Sequence, residues 1–363
     1  MSLHSPSEAE LASRLAERTL SLCQIASVTG DEAEITAHLL ACFAGWPRYE
    51  VSQVGRSLAL RPAWTQRPRV ALMGHVDTVP PHPGDPPAHL DGDRVVGLGS
   101  SDMKGGLAVM MALMEDLEPD ALSYDTAWVF YDAEEGPYDE SGLGPLLSGV
   151  PWLGELDLAF CLEPSDNVVQ LGCVGTLHAR VTFHGRSAHS ARPWQGENAV
   201  HKAGTFLQDL EARQPVEVEV GGHVFREVVS VTLASGGRAR NVVPERFDLN
   251  LNYRFAPGKS LEEAQAEIET LVDGRAEVEF VDRSPAGTVV NSNPHYQRFS
   301  QLTQAPETAK QAWTDVARLA EAGIDAVNFG PGRSDQAHQA EEYAEISKLV
   351  ASYQLFHRFL TAG

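Results

Sequence analysis

The sequence predicts a three-layer α/β domain on a mostly parallel sheet, interrupted by an inserted α+β domain. Three observations predict it. Short apolar runs bounded by polar or turn residues alternate with helical patterns, as in parallel sheets whose strands are joined by crossover helices. The stretch from about 175 to 288 switches to strands with one solvent-facing side. The α/β pattern then resumes with Trp313-Thr-Asp-Val-Ala-Arg-Leu-Ala-Glu-Ala-Gly323. The implied division is 1–174, 175–288 and 289–363, with the outer pieces forming one domain. At 363 residues the chain is long enough for two domains.

Residues 7–23 carry apolar side chains at helical spacing after an acidic first turn, which predicts a helix. Residues 31–46 predict a second, and 49–60 alternate like a strand. The apolar runs are 69–75 (RVALMGH), 126–135 (TAWVFYDAEE), 156–164 (LDLAFCLEP) and 326–332 (AVNFGPG), with a helix predicted over 104–117. In the insert, TLHARVTFHG, REVVSVTLASGG and RFDLNLNYRFAP predict strands. ENAVHKAGTFLQDLEAR and SLEEAQAEIETLVDG predict amphipathic helices.

Lys plus Arg number 28 against 50 Asp plus Glu, a formal charge of -22. Such a surface repels phosphate, which argues against nucleic acid and anionic membrane as partners and leaves a small molecule. Cys23, Cys42, Cys161 and Cys173 form no CxxC pair and read as reduced thiols of a cytoplasmic protein. The opening MSLHSPSEAELASRL lacks a basic stretch followed by an apolar run, so no secretion signal is expected. No stretch approaches the roughly 20 apolar residues of a membrane span.

The four runs share one property. They lead into Gly74-His75-Val76-Asp77, Asp132-Ala133-Glu134-Glu135, Glu163-Pro164 and the segment that brings His338. Open α/β sheets carry their functional crevice outside the carboxyl ends of the strands, so these groups converge if the strands are parallel. His75 and Asp77 share a face of a strand, which lets Asp77 accept a hydrogen bond from the ring nitrogen that holds no metal. Asp102 sits in a glycine-rich turn opening a helix, where backbone approaches an ion closely. Glu134 and Glu135 are costly as a buried like-charge pair, and a dication beside them removes that cost. Taken singly, each motif reads as a solvated turn or strand end. Together they predict a metal cage of His75, Asp102, Glu135, Glu163 and His338.

GHVDTVP, GSSDMKGG, DAEEG, LEP and the late run from Gly330 through His338 to Glu342 resemble the signature set of the di-zinc deacylase and exopeptidase clan. Acetylornithine deacetylases, succinyl-diaminopimelate desuccinylases, glutamate carboxypeptidases and aminoacylases belong to it. GCVGTLHARVTFHGRSAHSARPWQGENAVHKAG, NVVPERFDLNLNYRFAP and AKQAWTDVARLAEAGIDAVNFGPG are similar to the desuccinylase subfamily of Gram-positive type.

The resemblance implies two divalent ions per chain, zinc first, with cobalt or manganese also suited to the donor set. One ion would be held by His75, Asp102 and Glu163, the other by Asp102, Glu135 and His338. Glu134 would be general base and acid, and Asp77 would tune His75. The insert would be a dimerisation lid whose His189 reaches a partner subunit's site, and Asn241 and Arg254 would bind substrate carboxylates. The chain departs from the Gram-negative desuccinylases at Val174, where they carry arginine, and at Gly330-Pro331-Gly332-Arg333-Ser334, where their loop is glycine- and threonine-rich. Arg186, Arg192 and Arg333 are the cations left to recognise carboxylates. The expected activity is hydrolysis of N-succinyl-LL-2,6-diaminopimelate to succinate and LL-2,6-diaminopimelate. The alternatives are an acetylornithine or other N-acyl amino acid deacetylase, a dipeptidase, or a non-catalytic metal-binding homologue.

Overall fold

A computed structural model describes residues 7–362. The expectation about a secretion signal falls partly on residues 1–6, outside the described residues. The chain divides into two compact units. Of the described residues, the first comprises 7–172, 290–308 and 318–362, and the second 173–289 and 309–317. Against the expected division, residues 173–174, 289 and 309–317 also belong to the second unit. Residues 309–317 pack with the second unit: Cys173 Sγ donates to the Thr314 carbonyl, and the Trp313 indole N–H donates to the Pro285 carbonyl at 3.1 Å.

The first unit opens with the helix Glu8–Cys23. Ser7 and Glu10 form a reciprocal capping box, satisfying backbone donors the first turn leaves open. Leu11, Leu15 and Leu22 bury its inner face. Residues 49–60 differ from the single strand predicted. Glu50–Val54 and Ser57–Arg61 form an antiparallel hairpin around Gly55, which takes φ 60°, the left-handed region glycine enters without steric cost. These strands begin an eight-stranded sheet. Its centre is four parallel strands in the order Asp125–Tyr131, Arg69–His75, Leu158–Cys161, Ala326–Asn328. They correspond to the four apolar runs, and every residue of the last three but Arg69 is buried alongside all of Asp125–Tyr131. Antiparallel partners flank this centre on both sides, Ser57–Arg61 beside Asp125–Tyr131 and Val169–Leu171 beside Ala326–Asn328. Because the four strands run the same way, their carboxyl ends lie along one sheet edge.

Helices Glu8–Cys23, Gly105–Asp116 and Ile346–Thr361 pack against one another, and Pro294–Thr303 packs against the last. Phe160 meets Phe299, Phe356 and Phe359 at ring-centroid distances of 4.8, 5.3 and 5.5 Å. No helix among the described residues is long and apolar enough to cross a membrane.

The second unit is a five-stranded antiparallel sheet. Its order is Val216–Val220, His223–Gly236, Arg246–Phe255, Gly175–His184, Glu277–Ser284. Leu177, Ala179, Val181 and Phe183 alternate with more exposed neighbours, as do Leu249, Leu251, Tyr253 and Phe255. They form a core with Phe206, Ala264, Ile268 and Val272 from the helices Gly204–Ala212 and Leu261–Val272. The single helix predicted over 197–213 is two, Ala199–Lys202 and Gly204–Ala212.

Phe160→Ala removes a fully buried ring from the first unit's aromatic cluster. It should cost about 3–5 kcal/mol, seen as a lower urea midpoint. A loss under about 0.5 kcal/mol, the scale of a surface substitution, would contradict this packing.

Candidate metal centre

The strand Arg69–His75 delivers His75 to the carboxyl edge, and the Val76 N–H, bonded to the Tyr131 carbonyl at 2.8 Å, extends the pairing one residue. The neighbouring strand ends at Tyr131, and Ala133 takes φ 57°, an uncommon conformation for a residue with a Cβ. That turn aims the next two backbone N–H groups at Asp77. Glu134 N–H donates to Oδ1 at 3.0 Å and Glu135 N–H to Oδ2 at 3.1 Å. The Thr29 hydroxyl donates to Oδ2 at 2.9 Å. Asp77 is thus a fully buried staple between two strand ends. Its relation to His75 differs in detail from expectation. His75 Nδ1 makes its hydrogen bond to the Asp77 main-chain carbonyl at 3.1 Å, and the nearest carboxylate oxygen is 3.5 Å away.

His75 Nε2 faces Asp102 Oδ1 at 3.1 Å. His338 Nε2 lies 3.8 Å from Asp102 Oδ2 and 2.9 Å from Glu135 Oε2. One carboxylate therefore presents an oxygen to each of two imidazoles. Donor atoms of His75, Asp102 and Glu163 all lie within 4.8 Å of one another. The same holds for Asp102, Glu135 and His338, and for His75, Glu134 and Glu135. The first group is wholly buried, whereas the second runs from buried Asp102 to exposed His338. The centre has a closed end and a solvent-facing end from which a substrate can approach.

Electrostatics follow the geometry. Burial disfavours a charged His75 ring, yet the Asp102 and Asp77 carboxylates outweigh it and hold the ring well above its ordinary value. The hydrogen bond to Glu135 raises His338 to about 9. Burial, then the charge of Asp102, pushes Glu342 up to about 7. Each shift records negative charge gathered where desolvation makes it expensive. Two imidazoles and three carboxylates at this spacing form the nitrogen and oxygen donor set of a borderline divalent cation. Cations among them would remove the repulsion, so the cluster fits a dinuclear metal site.

The surrounding loops explain the glycines. A Cβ on Gly332 would lie 2.1 Å from the Ser101 carbonyl oxygen, and one on Gly330 would lie 2.3 Å from that of Leu162. The loop after Ala326–Asn328 therefore packs directly on the backbones that lead to Asp102 and Glu163. Arg333 N–H donates to Ser101 Oγ at 2.7 Å. The Arg333 guanidinium is paired with Asp335 at 2.7 Å and Glu345 at 3.1 Å.

The remaining expected residues belong to the second unit. His189 is exposed, and its Nδ1 accepts from the Ala191 N–H at 3.1 Å, so the ring proton of the neutral tautomer sits on Nε2. Asn241 lies on the adjacent segment, its carbonyl accepting from the Ser190 N–H at 2.9 Å. Arg254 is half-buried and donates to Asn252 Oδ1 at 2.9 Å. Arg192 is exposed, Arg186 reaches Glu197 at 3.7 Å, and Val174 is buried. Sequence reasoning gave no role to Thr29, Lys104 or Glu342. Lys104 is buried with its ammonium on the Ile25 carbonyl at 2.8 Å. Their one signal was position, beside Gly30 or inside the two glycine-bearing motifs.

A protein of Mycobacterium tuberculosis provisionally named succinyl-diaminopimelate desuccinylase is 35% identical over 351 residues, covering 95% of this chain and 97% of that protein. The succinyl-diaminopimelate desuccinylase of Corynebacterium glutamicum is 33% identical over 353 residues, covering 94% and 95%. A solved tripeptidase from Staphylococcus aureus shares the fold, with a TM-score of 0.77 at 19% identity over 96% of this chain and 98% of that one. Residues 71–362, which include His75, Asp102, Glu135, Glu163 and His338, match the model of peptidase family M20/M25/M40. The chain belongs to peptidase family M20/M25/M40.

Proposed function

We propose that the chain hydrolyses the amide bond of N-succinyl-LL-2,6-diaminopimelate to succinate and LL-2,6-diaminopimelate. The observation that carries the chemistry is Asp102, one carboxylate facing two imidazoles at the end of a parallel sheet. The choice of acyl group rests on the two similar proteins named as desuccinylases.

His75, Asp102 and Glu163 would hold one divalent ion, and Asp102, Glu135 and His338 would hold the other, zinc by preference. When bound, such a pair lowers the pKa of water into the neutral range and neutralises charge that develops on the substrate carbonyl. Glu134 is the proton carrier. Its backbone is fixed through Asp77, and its carboxylate lies in the group with His75 and Glu135. It takes a proton from the water that attacks the amide carbon, and passes it to the leaving nitrogen as the C–N bond breaks. The partner subunit's His189 donates from Nε2 to the carbonyl oxygen as negative charge gathers there, a role supported by the bond that occupies its Nδ1. Asn241, Arg254 and Arg192 bind substrate carboxylates. Arg333 shares its charge with Asp335 and Glu345, which suits it to holding its own loop and binding substrate only in part.

The active form is a homodimer through the second unit. Support comes from the strand His223–Gly236. Val216–Val220 pairs with its first five residues, so the rest presents an outer edge, and Leu233 on that edge is 70% exposed. A long exposed edge is a ready template for another chain.

Purified protein reconstituted with zinc should turn over N-succinyl-LL-2,6-diaminopimelate orders of magnitude faster than N-acetylornithine, by kcat/KM. The reverse order would move the assignment to a deacetylase. Glu134→Gln should lower kcat by roughly 10²–10⁴-fold with two ions per chain retained. Near-normal turnover in that variant would remove Glu134 from the reaction.

A further inference from the structure

Four residues beyond His338, the Glu342 carboxylate is buried, 3% exposed, and collects three backbone N–H groups from the turn that carries Asp102. Oε2 accepts from Gly99 at 2.8 Å, and Oε1 accepts from Ser101 at 2.7 Å and from Asp102 itself at 2.8 Å. The main chain adds to this. The Glu342 carbonyl accepts from the Gly97 N–H at 2.8 Å, and Tyr343–Glu345 pairs antiparallel with Arg94–Val96. The segment that follows one imidazole is therefore bonded residue by residue along the segment that ends at the shared carboxylate.

The turn needs this support. Gly99 has φ 77°, and Asp102 has φ -119° and ψ 91°, so the turn is irregular; a main-chain bond from the Lys104 N–H to the Gly99 carbonyl at 2.7 Å closes it, while the Asp102 N–H itself goes to Glu342. A carboxyl group shielded from water is costly unless donors such as these surround its oxygens. Glu342 is in none of the three candidate donor groups.

We infer that Glu342 is a positioning residue that locks the Asp102 turn to the His338 segment, keeping the shared carboxylate and the second imidazole at a fixed spacing. This deepens the dinuclear reading above and rests on it. A glutamine is the discriminating replacement. It keeps the shape but has one acceptor oxygen, so in either orientation its NH₂ opposes a backbone N–H, at Gly99 or at Ser101 and Asp102.

The test is stepwise zinc binding to metal-free full-length protein by competition with a chromophoric chelator, with urea unfolding of the same samples. Wild-type should take two ions. Glu342→Gln should unfold cooperatively, keep its tighter ion, and bind the weaker one about 10–100-fold less well, the usual effect of losing a group that orients a ligand. Its kcat should recover with added zinc while KM stays unchanged. A Glu342→Gln chain that binds both ions with wild-type affinity would overturn the positioning role alone. A wild-type chain that takes fewer than two ions would overturn the dinuclear reading and this inference with it. Should the variant fail to fold, amide exchange in metal-free wild-type decides. Slow exchange at Gly99, Ser101 and Asp102 is expected, and protection that arises only on zinc loading would contradict the role.

Discussion

Asp102, Glu135 and Glu163 bring three carboxylates to one partly desolvated place, and the architecture around them is organised by that repulsion. Two unit charges 4 Å apart interact by about 4 kcal/mol at the effective dielectric of a protein site. A fold stable by roughly 5–15 kcal/mol does not hold such groups together without compensation. Here the compensation is in layers. Imidazoles stand against Asp102 and Glu135, backbone N–H groups cap Asp77 and Glu342, and the cluster fits a dinuclear metal site.

The parallel sheet makes this arrangement possible. A parallel strand ends where its neighbours end, so residues far apart in sequence reach one edge without any long loop having to find it. His75, Glu134, Glu135 and Glu163 arrive on or just after adjacent strand ends. Asp102 and His338 cannot arrive that way. They are carried by turns, and turns hold a ligand to a fraction of an ångström only when other groups fix them. Glu342 fixes the first turn, and Gly330 and Gly332 let the loop leading to the second lie directly on its neighbours. Each donor group therefore combines residues from strand ends with residues from braced turns: His75 and Glu163 with Asp102 in the buried group, Glu135 with Asp102 and His338 in the more exposed one.

Much of this was legible in the sequence, for a physical reason. Strands buried on both faces must be continuously apolar, so 69–75 and 126–131 announce themselves, and ligand-type residues where such runs stop are hard to explain otherwise. The rest was illegible for equally physical reasons. Gly55 turns an alternating stretch into a hairpin, and alternation alone does not reveal which way a chain folds back. Residues 309–317 join the second unit through contacts such as Trp313 to Pro285, which no local pattern encodes. Glu342 closes the late signature run, but it stands in a polar stretch, Ala-Glu-Glu-Tyr-Ala-Glu, that gives no sign of its burial. Only the approach of backbone donors from 240 residues away makes it a buried acceptor.

The central claim is that Asp102 is shared by two ions. Anomalous diffraction at the zinc absorption edge, on crystals of the zinc-loaded protein, tests it most directly. The account predicts two peaks about 3.5–4 Å apart, one on each side of the Asp102 carboxylate. The first would lie beside His75 and Glu163, the second beside Glu135 and His338. A single peak, or a pair that leaves Asp102 bound to one ion only, would contradict it.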